Sequence, residues 1–174
     1  MSIDAKSDRE TFDAELNRLL VGWKPDMVGT LMFVVDAGKV LLIHKKRGHG
    51  AGKINAPGGK IEPGETAVEC ALRETLEEVG IKAIAPRLMG TFKFVDQVSS
   101  QWLGYAFVAT AYEGQPVETA EARPQWFEFE RIPFALMWDD DQFWLPEILA
   151  GRAVTGEFLF DDGALLTHRL RAAR

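Results

Sequence analysis

Three glutamates in the stretch "RETLEEVGI" stand at positions 74, 77 and 78. On a helix, Glu74, Glu77 and Glu78 share one side, because residues three and four apart are neighbours, so their carboxylates can converge on one point. Like charges so placed repel by a few tenths of a kcal/mol on an exposed helix, and by more where water is excluded. A hard divalent cation removes that penalty, and Mg2+ is the usual one where phosphates complete its coordination. The chemistry this suggests is attack of water on a phosphate, with a carboxylate taking the water's proton. The bland alternative is a solvated acidic face. The preceding loop favours the first reading. Gly58, Gly59 and Gly64 permit backbone shapes that bring main-chain carbonyls to a metal and main-chain amides to a phosphate. Arg73 stands beside the acidic arc, where it can hold Glu65 in a salt bridge that shapes the loop.

The element that must carry these acids is a helix over residues 66–79. Thr66 and Glu69 make a T-x-x-E capping box at its start, and Gly80 suits a left-handed stop. At 100° per residue Val68, Ala71, Leu72, Thr75, Leu76 and Val79 span an arc of about 140°, the expected core face. Cys70 falls on the acidic side. Around this helix the chain alternates. Residues 7–20 read as an amphipathic helix through Phe12, Leu16, Leu19 and Leu20, with "SDRE" as its capping box. Residues 27–35 and 39–44 read as a hairpin turned by "DAGK", and "KKRGHGAGK" as a basic, glycine-rich loop. Strands are expected over 87–95, 102–112 and 125–130, a helix over 140–150, and a closing hairpin of "GEFLF" and "ALLTHRL" about "DDG". His44 and His168 lie on strand patterns and read as structural. Strands interspersed with two or three helices give a mixed α/β sandwich.

The chain has 174 residues, enough for one domain. Its net charge of −6 argues against a nucleic-acid partner, which would call for a basic patch. The uninterrupted apolar run of a membrane span is missing, the first 20 residues lack the apolar core of a secretion signal, and a single cysteine precludes an intramolecular disulfide. These features point to the cytoplasm. The state of assembly stays open between monomer and homodimer.

Gly59 to Ile81 resembles the 23-residue Nudix box, G-x5-E-x7-R-E-U-x-E-E-x-G-U, through Gly59, Glu65, Arg73, Glu74, Glu77, Glu78, Gly80 and Ile81. Thr75 stands where an aliphatic residue is usual; on the core face its hydroxyl can bond back to the helix backbone. The resemblance implies an α/β/α sandwich around a mixed sheet, with an extra N-terminal helix: residues 1–26 as extension and 27–174 as the Nudix domain. It implies hydrolysis of a nucleoside diphosphate derivative with Mg2+ or Mn2+. By the same likeness the metal ligands would be the Gly58 carbonyl, Glu74 and Glu78, with Glu77 bound directly or through water. Glu78 is the first candidate for the base, and Arg73 and Glu121 complete the catalytic set.

Beyond the box, "KKRGHGAGKINAPGGKIEPGET", "VETAEARPQWFEFERIPFALMWDDDQFWLPEIL" and "GEFLFDDGALLTHRL" resemble the branch of the family that acts on oxidised purine nucleoside triphosphates such as 8-oxo-dGTP. That likeness assigns the purine to Asn55, Trp138, Asp140 and Asp141, and the pocket wall to Thr30, Lys45 and His49. The chemistry is self-consistent: an indole stacks on a base, and an amide offers both donor and acceptor. Adjacent aspartates can serve a base edge if crowding in a water-poor pocket raises one pKa. In the bland reading Trp138 is core and "DDD" opens a helix, where acids suit the dipole. Asp139 replaces a proline of the family pattern, and His49 replaces a phenyl ring. The implied product is a monophosphate with pyrophosphate. Alternatives are another Nudix substrate, such as a dinucleoside polyphosphate, a nucleotide sugar or ADP-ribose, and a nucleotide-binding module that has lost catalysis.

Overall fold

The computed structural model describes residues 5–173. In chain order the elements are α1 (Ala5–Leu20), β1 (Met27–Asp36), β2 (Lys39–Lys45), β3 (Ile54–Asn55), β4 (Gly58–Lys60), α2 (Ala67–Val79), β5 (Lys82–Ile84), β6 (Arg87–Asp96), β7 (Trp102–Ala109), β8 (Ala111–Glu113), β9 (Ala122–Glu128), α3 (Asp141–Leu149), β10 (Val154–Asp161) and β11 (Ala164–Ala172). Two 3-10 turns, Phe129–Arg131 and Phe134–Leu136, lead into α3. Nine strands form one mixed sheet in the order β11-β10-β6-β7-β1-β2-β3, with β4 added to β1 and β9 to β2. The β1–β7 and β6–β10 pairs are parallel and the other pairs antiparallel. β5 and β8 make a separate small ribbon.

Strand alternation divides the core between the two faces of the sheet. On one face Phe33, Leu42, Phe92 and Phe158 pack with Trp144, Leu145 and Ile148 of α3. On the other, Met32, Val34, Leu41 and Ile43 pack under Ala71 and Val79 of α2. The helix α1 extends this second layer: its Leu16, fully buried, meets Val95 of β6 and Leu159 of β10. Burying each such side chain contributes about 1.5–3 kcal/mol. Polar contacts fix the docking, with the Thr167 hydroxyl donating to Asp13 at 2.6 Å and Arg169 donating to Asn17 at 2.7 Å. The architecture is therefore the expected α/β/α sandwich with an additional N-terminal helix.

Several boundaries move from the sequence expectation. The helix α1 begins before Ser7, so "SDRE" is not a capping box there. The expected strand over 102–112 breaks at Thr110, and its end leaves the main sheet to pair with β5. The expected 125–130 strand begins three residues earlier and ends in a 3-10 turn. The short strands β3, β4 and β5 carry no alternating apolar signal. Both predicted hairpins are present, turned through residues of positive φ: Ala37 and Gly38 in the first, Asp162 and Gly163 in the last. Among the described residues no helix is long and apolar enough to cross a membrane.

Candidate active site

The capping box of α2 is formed as expected. Thr66 Oγ1 accepts the Glu69 N–H, the Glu69 carboxylate accepts the Thr66 N–H at 2.8 Å, and Gly80 closes the helix at φ 72°. Thr75 is buried, and its hydroxyl donates to the Ala71 carbonyl at 2.7 Å. The buried face of α2, however, is rotated from the one that periodicity indicates. Leu76 is 54% exposed, whereas Cys70 and Glu78 are buried. The reason is the glycine strand β4, which covers the side of α2 bearing Cys70, Glu74 and Glu78. The Cys70 thiol reaches the Lys60 carbonyl at 3.3 Å, and Glu78 accepts the Gly58 N–H at 3.0 Å. The glycines are required sterically. A Cβ at Gly59 would stand 2.4 Å from the Glu74 carboxylate, and one at Gly58 would stand 1.9 Å from the Thr30 carbonyl oxygen.

Each of the three acids faces a cation, two of them the same one. Glu78 takes an ion pair with Lys45 Nζ at 2.9 Å across the sheet. Burial raises its pKa, a rise opposed by Lys45 and by the Gly58 N–H. Glu74 pairs with Arg73 at 2.7 Å, and Glu77, largely exposed, with the same guanidinium at 3.3 Å. Arg73 also grips Glu65 through two hydrogen bonds of 2.7 and 2.9 Å, as expected, which lowers the Glu65 pKa to about 2. Among the described residues no three acidic, histidine or cysteine side chains are gathered closely enough to hold one ion. The expected convergence of the three carboxylates is thus not preformed: Glu78 is held by Lys45, while Glu74 and Glu77 share Arg73. The donor set still fits a hard divalent cation, since the candidate ligands are all carboxylate or carbonyl oxygens and each carboxylate already faces a positive group. Glu121 is more than half exposed and lies 3.6 Å from Arg47.

The second group of expected residues does come together. Thr30, Lys45, His49, Asn55, Trp138, Asp140 and Asp141 all line one cavity of about 600 Å³, with Gly58 and Gly59 at its edge. Asp140 and Asp141 stand at the entry of α3 and are almost fully buried. They therefore open a helix and face the cavity at once. Asp140 accepts from the Trp144 indole N–H at 2.7 Å, and Asp141 accepts the Trp138 N–H at 3.1 Å. Burial pushes the Asp140 carboxyl up to about 6. Asp141 is raised as well, by burial first and then by the charge of Asp140. A buried pair with raised pKa values can present a protonated carboxyl, which donates, beside a carboxylate, which accepts. Asp139 is exposed to solvent.

His49 stacks between two indoles. Its ring lies 5.2 Å from that of Trp138 and 5.2 Å from that of Trp102, with interplanar angles of 16° and 23°. Trp102 was visible in the sequence only as the start of a strand; its place on the cavity wall depends on the parallel pairing of β7 with β1. The basic loop contributes less than its composition suggests. Lys46 pairs with Glu118, and Lys53 sits 4.8 Å from the Trp138 ring centre.

Residues 25–148 match the family model described as the NUDIX domain. The chain belongs to the Nudix family. Among its relatives, it is 43% identical over 143 residues to the oxidized purine nucleoside triphosphate hydrolase of Danio rerio, covering 81% of this chain and 92% of that protein. The protein of the same name in Mus musculus is 40% identical, over 82% and 92% of the two chains. Among solved structures, the mutator MutT protein from Bacillus halodurans superposes with a TM-score of 0.73 at 33% identity, covering 83% of this chain and 97% of that one. The chain is accordingly a Nudix hydrolase. The family match stops before β10 and β11, although both strands are paired into the Nudix sheet.

Proposed function

We propose that this Nudix hydrolase converts oxidised purine (deoxy)nucleoside triphosphates, such as 8-oxo-dGTP, to the monophosphate and pyrophosphate in the cytoplasm. The observation that carries the reading is the single cavity that joins Asn55, Trp138 and the buried Asp140–Asp141 pair to Lys45 and Gly58. It is of a size suited to a nucleotide. The relatives named for the same activity support it. A mixed acid–carboxylate pair can both donate to and accept from a purine edge, and oxidised purines differ from normal ones in those donors and acceptors. The substrate is a free nucleotide, in keeping with the net charge of −6.

The Gly58 carbonyl, Glu74 and Glu78, with Glu77, would hold Mg2+ or Mn2+, with Glu121 as a further carboxylate near the metals. When bound, such an ion neutralises phosphate charge and polarises the bridge to be cleaved. The chain's own groups do the rest. Glu78, the most buried acid of α2, has a pKa raised by that burial and takes the proton of the attacking water. Lys45 borders both regions, pairing with Glu78 and lining the base cavity, so it can hold the polyphosphate between them. Arg73 keeps Glu65 and the loop in place. Thr30 and Asn55 close the cavity beside the base. Residues 27–174 form the catalytic unit, monomeric or as a homodimer, with 1–26 as an extension whose first four residues lie outside those described.

A turnover panel of 8-oxo-dGTP, 2-oxo-dATP, dGTP, Ap4A and ADP-ribose tests this, with pyrophosphate and phosphate measured separately. An oxidised triphosphate should lead, with pyrophosphate as product. Preference for Ap4A or ADP-ribose overturns the reading.

A further inference from the structure

The sandwich of rings at the cavity mouth is one imidazole thick. Two indoles that take a flat ring between them at 5.2 Å on either side are in the range of offset stacking. The walls of this sandwich are fixed before any ligand arrives. Trp102 follows Gln101, whose carbonyl accepts the Asp26 and Met27 N–H groups at 2.9 and 3.0 Å. The Gln101 N–H donates to the Asp26 carboxylate at 2.7 Å, and its side chain donates to the Asp96 carbonyl at 2.6 Å and accepts the Trp23 indole N–H at 3.1 Å. The Trp102 ring lies across Gly29, where a Cβ would stand 3.3 Å from it. Trp138 is set by the bond from its N–H to Asp141. The filling, by contrast, belongs to a loop in which Gly48, Gly50 and Gly52 all have positive φ. The partial burial of the ring, and then Lys45 and Lys60, lower the His49 pKa, which disfavours a charged imidazolium between the rings.

We propose that Trp102 and Trp138 are the two faces of a slot for the purine ring, and that His49 is its resident filler, displaced when the base enters. Trp102 thereby becomes a base-contacting residue. The inference rests on the reading of the cavity as a purine site, and goes beyond it in naming the second wall and the group that must leave. Walls held by a backbone latch avoid the ordering cost that a mobile wall would add to binding. An indole–imidazole stack exchanged for indole–purine stacks gains area on both faces, because the purine is the larger ring.

The test uses the full chain with magnesium and two probes, 8-oxo-dGMP and ribose 5-phosphate, which lacks a base. Calorimetry should show 8-oxo-dGMP binding about tenfold more weakly to Trp102→Ala, with most of the loss restored in Trp102→Phe. Ribose 5-phosphate should bind all three proteins alike. In the unmutated protein the His49 ring protons, shielded by two indoles, should move downfield in the NMR spectrum when 8-oxo-dGMP is added, and stay in place with ribose 5-phosphate. Equal losses for both probes, full affinity in Trp102→Ala, absence of 8-oxo-dGMP binding to the unmutated protein, or unmoved His49 resonances in its presence would each overturn the proposal. The NMR arm needs no variant, so a misfolded substitution does not remove the test. Since these are binding readouts, failure of the slot is separable from failure of the hydrolysis panel.

Discussion

Two short acidic runs, Glu74–Glu77–Glu78 and Asp139–Asp140–Asp141, solve the same problem in opposite ways. Each presents one acid to solvent and buries at least one other. On α2 the buried charge is met by a cation, Lys45, and the half-buried Glu74 by Arg73. At the entry of α3 no cation forms an ion pair with the buried pair among the described residues, and burial raises both pKa values, which favours the protonated over the charged form. The contrast teaches that a carboxylate's role is set by its counter-charge. Charge met by an exchangeable cation suits a site for another cation; charge met by a proton suits a hydrogen-bonding edge.

That contrast can be broken most severely at Glu78. Glu78→Gln should lower turnover by about 10²–10⁴-fold with the fold retained, read by steady-state kinetics beside circular dichroism. Unchanged activity would remove Glu78 as the base. Next is the pH dependence of Asp140. Its folded pKa is raised from 3.8 to about 6, so its contribution to stability is complete below pH 4 and is lost as pH rises through 6. Asp140→Asn should therefore gain stability relative to the parent by up to about 3 kcal/mol between those limits, measured by denaturant melts at several pH values. A constant difference would mean that the proton is not what neutralises this acid.

A third comparison separates scaffold from site at the two glycines. Gly58→Ala drives a Cβ into backbone and should cost about 1–3 kcal/mol of stability. Gly59→Ala meets only the flexible end of Glu74, so thermal stability should hold while turnover falls. Equal melting losses would place both glycines in the scaffold. The smallest effect is expected at the base edge. Asp141→Asn should raise KM about tenfold for oxidised purines with little change in kcat, consistent with loss of a buried hydrogen-bonded edge. Uniform loss across the substrate panel would deny it a part in reading the base.

Much of this was legible in the sequence because it is local. The capping box of Thr66 and Glu69, the Gly80 stop, the Thr75 back-bond and the Arg73–Glu65 pair all join residues no more than eight apart. The outward placement of Leu76 and the burial of Glu78 were not legible, because a helical arc says which residues share a side but not what lies over it. Trp102 was equally hidden, being brought to the cavity by a partner strand more than 70 residues earlier in the chain.

The sequence by itself therefore determined the family, the helix that carries the acids and the identities of the groups that can act. Fixed spacings on one helix are a property of the chain alone. The tertiary structure decided their surroundings and partners: Lys45 opposite Glu78, two neighbouring aspartates buried together, and His49 between two indoles. Those depend on desolvation and on distances across the sheet, which only the packed fold sets.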